Sequence, residues 1–181
     1  VIRRSDKRMM GASTRNQATT EEPVRMLNKG DKAPDFEGTD QTGKQQSLTA
    51  MLHNGPVLLY FYPADFTPIC TAQACAFRDR QEVLNSASVQ VVGVSPQSES
   101  SHQRFADTYD LGFPLLPDQN KQIIKAYGVD GPFGIGVRRA TFLIGTDGRI
   151  RDRVVSDLFV GSHTEFIKDA LANIESDGTG T

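Results

Sequence analysis

The sequence has no tryptophan, two cysteines and three histidines in 181 residues. Two cysteines are too few for a disulfide-stapled secreted scaffold, and so the expected setting is reducing and cytoplasmic. They stand at positions 70 and 75, a separation that lacks zinc-ligand spacing, and the scattered His53, His102 and His163 add no ligand cluster. No apolar stretch approaches the roughly 18 residues of a membrane-spanning helix, and none suits a secretory signal. Charge of one sign is missing too. Lys and Arg number 20 against 22 Asp and Glu, a net charge of −2, which gives no electrostatic reason to expect nucleic acid as a partner. With 38% apolar residues, the length fits one domain with a sizeable core.

What is present centres on Tyr60-Phe-Tyr-Pro-Ala-Asp-Phe-Thr-Pro-Ile-Cys-Thr-Ala-Gln-Ala-Cys75, which holds both cysteines. It overlaps the most apolar run, Pro56 to Tyr62, which reads as a strand buried on both faces. Pro63 stops that strand, having no N–H for a ladder. Thr67 as N-cap and Pro68 at the first helical position open a helix, expected to run to about Leu84. Cys70 therefore sits in a first helical turn, where free backbone N–H groups and the helix dipole favour a thiolate, the reactive form of cysteine. An arginine from elsewhere in the fold would act in the same direction.

Cys75 lies on the same predicted helix. Helix geometry puts two such Cα atoms roughly 8 to 9 Å apart on nearly opposite faces, whereas a disulfide normally needs less than about 7 Å. Either the two never pair, or the first turns unwind so that they can. Inert core cysteines are the bland alternative. A C-x-x-C dithiol is excluded by count, since four residues separate the pair.

Pro63-x-x-x-Thr67-x-x-Cys70 is similar to the active-site signature of the peroxiredoxins, and Cys75 five residues later resembles the peroxiredoxin Q, or bacterioferritin comigratory protein, type. The resemblance extends from about Lys29 to the last helix. One departure is Ile69, where the family usually has glycine. A bulkier side chain there is expected to tune the rate, by narrowing the peroxide entrance or altering how the helix unwinds.

The resemblance implies a thioredoxin-like α/β fold with peroxiredoxin elaborations, a central mixed sheet flanked by helices. It implies a Cys70 thiolate that attacks a hydroperoxide and becomes a sulfenic acid, with Cys75 resolving it as a disulfide and thioredoxin or a similar dithiol protein as reductant. No bound cofactor or metal is needed. Thr67, the backbone around Cys70 and an arginine supply donors to the leaving oxygen, and Pro63 shields the thiolate. The family pattern places that arginine at Arg139, before Thr141-Phe142; Arg138 is its neighbour on the opposite strand face, and sequence alone does not choose between them. Gln73, within a helical turn of Cys70, is a further polar candidate. Members of this type are often monomers. A redox sensor switched by the same disulfide, a non-catalytic thioredoxin-like interaction domain and a one-cysteine peroxidase are the rivals.

Along the rest of the chain, residues 1–25 read as a basic tail, an Arg- and Ser-rich transit segment, or residues ahead of a start at Met26. A domain over 26–175 and a frayed end at 176–181 follow. Segments 33–36 and 44–48 suggest a short hairpin, with one helical turn over 47–52. Strands are predicted over 89–95, 113–116, 138–144 and 150–155, the last two a hairpin across Thr146-Asp-Gly148. Helices are predicted over 98–109 and 120–127, the latter closed by Gly128, with 131–136 a loop. Ser162-His-Thr-Glu165 reads as a capping box opening a helix to about Glu175. Asp65 reads as a turn residue and the histidines as solvent-exposed or capping. Tyr60 and Tyr62 are expected to pack in or over the strand, or one of them to line the pocket.

Overall fold

The computed structural model describes residues 25–157 and 160–177. The expected basic tail lies outside them except for Arg25, which pairs with Asp31 at 2.8 Å; of the expected frayed end, 178–181 also lie outside. A two-stranded antiparallel ribbon comes first, β1 (Glu37–Thr39) and β2 (Gln45–Ser47), followed by the short α1 (Leu48–Leu52). The ribbon's first strand lies just after the predicted segment 33–36, and its second falls within the predicted 44–48. The buried Asp40 side chain organises its turn, accepting from the Thr42 N–H, the Thr42 hydroxyl and the Lys44 N–H.

The main sheet is built on β3 (Val57–Phe61), whose five residues are all fully buried. It is flanked by β4 (Gln90–Ser95) on one side and β6 (Ala140–Ile144) on the other, with β5 (Leu115–Pro117) and β7 (Ile150–Val155) at the edges, in the order β5-β4-β3-β6-β7. β3, β4 and β5 run parallel, while β6 is antiparallel to both β3 and β7. The sheet is therefore mixed, as expected. The parallel crossovers are made by α2 (Pro68–Arg78) with α3 (Gln81–Ser86), and by α4 (Glu99–Tyr109). Then α5 (Gln122–Ala126) leads to β6, and α6 (Val160–Asp177) follows β7. No described helix is long and apolar enough to cross a membrane.

Strand alternation divides the core in two. Val57, Leu59 and Phe61 face one side with Leu48, Ile124, Tyr127 and Phe142. Leu58, Tyr60 and Tyr62 face the other with Cys70, Phe77, Leu84, Phe105 and Phe166. Burying each large apolar side chain contributes about 1.5–3 kcal/mol, and β3 contributes to both cores at once. Tyr60 stacks on Tyr62 and on Phe77, with ring centroids 5.3 and 4.7 Å apart. Its ring covers Gly93, where a Cβ would come within 2.7 Å of Tyr60 Cζ.

The helix predicted to run from Pro68 to Leu84 is two helices. The buried stripe Cys70, Ala74, Phe77 calls for an apolar residue at 80 or 81, where Arg80 and Gln81 stand. The chain turns there through a 3₁₀-type bond from Arg80 N–H to Phe77 O, and α3 buries Leu84 from a new direction. Gly128 closes α5 as expected, at φ +67°. The last helix starts two residues before Ser162, so the proposed capping box falls inside its first turn.

Candidate active site

Cys70 is 1% exposed in the first turn of α2. Thr67 occupies the N-cap position with extended backbone, and Pro68 is the first helical residue. The first turn-closing bond runs from Thr71 N–H to Thr67 O at 2.9 Å, so the N–H groups of Ile69 and Cys70 precede any intrahelical acceptor. The Thr67 side chain does not cap the helix; its hydroxyl donates to Ala64 O at 3.2 Å, so its remaining capacity is as an acceptor and not as the expected donor.

Arg139 arrives from the start of β6. The register Phe61↔Ala140 sets that start beside the end of β3, one residue from Tyr62 and Pro63. Arg139 shares strand parity with Thr141 and Leu143, on the Cys70 side of the sheet. Arg139 is 4% exposed, and its guanidinium donates from Nη2 to Cys70 Sγ at 3.2 Å and from Nη1 to Gln73 Oε1 at 2.6 Å. Arg138 points away, half-exposed, with Nε 4.0 Å from Asp157 Oδ2. Geometry thus separates two arginines that sequence could not. Gln73 is buried too, and its Nε2 has no hydrogen-bond partner among the described residues, nor has Arg139 Nε.

Arg139 is fixed from behind. Its N–H donates to Asp157 Oδ1 at 2.8 Å and its carbonyl accepts from Ser156 N–H at 3.1 Å. The Ser156 carbonyl takes a hydrogen bond from His163 Nε2 at 3.1 Å, and His163 Nδ1 meets the Thr141 hydroxyl at 2.9 Å. His163 is buried, against expectation, because it bolts α6 to the strand end that carries Arg139. Burial pushes the His163 imidazole below its usual range, opposed by the Ser156 bond and reinforced by the nearby Arg139 charge.

Asp65, two residues before Thr67, is a second departure. Its side chain is 1% exposed, and its carboxylate accepts from Tyr62 Oη at 2.8 Å, Ser101 Oγ at 2.6 Å and His102 Nδ1 at 3.0 Å. Burial alone would raise its carboxyl; hydrogen bonds from His102, Ser101 and Tyr62 with the His102 charge hold it below the usual value. On the far side of the ring, His102 Nε2 meets Ser95 Oγ at 3.4 Å. The order Ser95, His102, Asp65 is that of a hydrolytic triad, but Ser95 is 0% exposed and accepts from Gln97 N–H, so no substrate reaches it. His102 and Asp65 lie far apart in the chain, and only their buried pairing reveals them.

Cys75 is half-buried further along α2, and both cysteines are free thiols. A cavity of about 270 Å³ opens beside Arg139, lined also by Pro63, Pro132, Ile135 and Val137. On its loop, Phe133 and Ile135 are exposed. Tyr60 is fully buried near Cys70, without a hydrogen-bond partner for its hydroxyl among the described residues, and burial raises its phenol far above the usual range.

Residues 29–153 match the AhpC/TSA family. Chloroplastic peroxiredoxin Q of Arabidopsis thaliana is 44% identical over 126 residues, 69% of this chain and 58% of that one. The chain therefore spans about three fifths of the length of that plant relative. A putative peroxiredoxin of Mycobacterium tuberculosis is 35% identical over 153 residues, 83% of this chain and 99% of that one. Among solved structures, peroxidoxin BcpB of M. tuberculosis superposes with a TM-score of 0.75 at 35% identity, over 83% of this chain and 97% of its own. Peroxiredoxin Q of Xanthomonas campestris gives 0.70 at 26% identity, over 78% and 90%. On its sequence, its mixed sheet and the cysteine at the head of α2, the chain belongs to the AhpC/TSA family and has the thioredoxin-type fold of peroxiredoxins.

Proposed function

We propose that this chain is a thiol-dependent peroxidase that reduces hydrogen peroxide and alkyl hydroperoxides. The observation that carries the reading is the 3.2 Å contact of Arg139 Nη2 with Cys70 Sγ at the head of a helix. A buried thiolate needs such a partner, and the same guanidinium stabilises charge that develops on the leaving oxygen. Cys70 S⁻ attacks the distal peroxide oxygen, the O–O bond breaks, and the departing oxygen takes up a proton as water or alcohol. Thr67 accepts a hydrogen bond from the bound peroxide, and Pro63 keeps bulk water from the sulfur. The apolar loop of Phe133 and Ile135 beside the cavity favours an organic hydroperoxide as the second substrate class. In agreement, the structurally similar bacterioferritin comigratory protein of X. campestris has alkyl peroxide reduction activity.

The Cys70 sulfenic acid is then attacked by Cys75, releasing water and forming a disulfide, which a dithiol protein of the thioredoxin kind reduces. In support, Cys75 is the only other cysteine. With both on α2, the pairing requires the helix to unwind. The protein acts as a monomer in a reducing compartment. Cys75→Ala tests the resolving step: the first peroxide turnover stays at the wild-type rate while thioredoxin-supported turnover collapses. Full thioredoxin-supported turnover in Cys75→Ala would leave a one-cysteine mechanism instead.

A further inference from the structure

The loop between β3 and α2 is docked on α4 at two adjacent points. Asp65 is one, its carboxylate closed by Ser101 and His102 from the first turns of α4 and by Tyr62 from its own strand end. Phe66 is the other: it sits at φ +60°, a left-handed conformation rare for a bulky residue, and its ring lies 5.2 Å from Phe105 and 6.3 Å from Tyr109 of α4. The far end of α2 is held more firmly. Ala74 and Phe77 are 1% exposed, Phe77 stacks on Tyr60, and Arg78 Nη1 donates to Tyr109 O at 2.7 Å. If α2 is to bring Cys70 to Cys75, its short first turn is the part that must leave, and the 62–67 loop moves with it.

We propose that Asp65 and His102 are positioning residues that set how Cys70 divides its time between the helical, peroxide-facing arrangement and the unwound arrangement that meets Cys75. This rests on the peroxidase reading above. A closed clamp favours the first step, S⁻ plus ROOH giving the sulfenate and ROH. An open clamp favours the second, sulfenic acid plus the Cys75 thiol giving the disulfide and water. Between the two, a second peroxide converts the waiting sulfenate to sulfinate. The clamp therefore also decides how readily the enzyme is lost to over-oxidation. Losing one hydrogen bond to a buried carboxylate changes such an equilibrium by about tenfold or more.

The experiment is rapid chemical quench of the reduced full chain mixed with H2O2, with alkylation and intact mass spectrometry. Sulfenate, disulfide and sulfinate read as a gain of about 16 Da, a loss of about 2 Da and a gain of about 32 Da. In Asp65→Asn the first step slows about tenfold, the second quickens by a similar factor, and sulfinate per turnover falls. Ser101→Ala, which leaves the His102 bond, moves both steps the same way by less and guards against a fold too damaged to read. His102→Ala behaves as Asp65→Asn, whereas His102→Asn, whose amide N–H stands near the Nδ1 position, returns toward wild type. A purely structural role lowers stability without moving the two steps apart. Steps that are both unchanged or both slowed, in Asp65→Asn and Ser101→Ala alike, would overturn the clamp while leaving the peroxidase intact. A wild type that forms neither sulfenate nor disulfide would overturn the proposed function and the clamp with it.

Discussion

Arg139 divides its guanidinium between two partners on one helix, Cys70 Sγ at 3.2 Å and Gln73 Oε1 at 2.6 Å. Because Gln73 is neutral, nothing at that position offsets the arginine's charge, and the field falls on the sulfur. Gln73→Glu would place a carboxylate against the same guanidinium and draw its charge away. The expected outcome is a peroxide rate about tenfold lower at pH 7 and an acid limb of the pH–rate profile moved upward, read by stopped-flow assay from pH 5 to 8. An unchanged profile would mean that Arg139 acts on the peroxide and not on the thiol. Cys70, Thr67 and Pro63 were legible from local order alone, because a strand stop and a helix start are written in neighbouring residues. Asp65, His102 and His163 were not. Their roles come from buried partners 37 and 22 positions away, and a lone histidine carries no such information.

At the scale of the element, the proposed mechanism asks two conflicting properties of α2. It would be helical for Cys70 to face Arg139, as it is here, and would come apart for Cys70 to reach Cys75. Ile69, in the second helical position and partly exposed, favours the helix over glycine by roughly 0.5–1 kcal/mol. Ile69→Gly should therefore quicken disulfide formation by about two- to fivefold and lower sulfinate yield, as followed by quench and mass spectrometry. No change in either would show that the first turn is held by its loop alone. The strands around α2 were readable because β3, β4 and β6 are short segments rich in apolar β-branched, aromatic or leucine side chains, and a turn at Asp147-Gly148 joins β6 to β7. The break between α2 and α3 was not, since no proline or glycine marks it; it arises where Arg80 and Gln81 interrupt an apolar stripe.

Across the whole molecule, the sheet brings the last residues of β3 and β4 and the start of β6 to one end of the strands, and the two arms of the candidate site meet there. One arm runs from α4 through His102 and Asp65; the other runs from α6 through His163, Ser156 and Arg139. The second arm makes stability depend on pH. His163 is lowered in the folded state, so as pH falls through about 6.5 the unfolded chain takes the proton first. Its stabilising contribution is therefore present above that pH and declines as the solution is acidified toward the lower folded value, by at most about 1.4 kcal/mol per pH unit. Thermal unfolding between pH 7.5 and 5.5 should show this loss in wild type and a smaller one in His163→Gln. Equal slopes would place the titration elsewhere. Mixed-sheet topology could be inferred from element order, but the seating of the Asp65 loop on α4 and of Arg139 against Cys70 depends on packing between α4, α6 and the sheet.

The measurement that bears most directly on a two-cysteine peroxidase is stopped-flow consumption of H2O2 by the reduced protein, with mass spectrometry of the product. Such an enzyme loses both thiols rapidly and becomes lighter by about 2 Da, while Cys70→Ser is inert. Consumption at the slow rate of an ordinary free cysteine, with both thiols surviving, would contradict it.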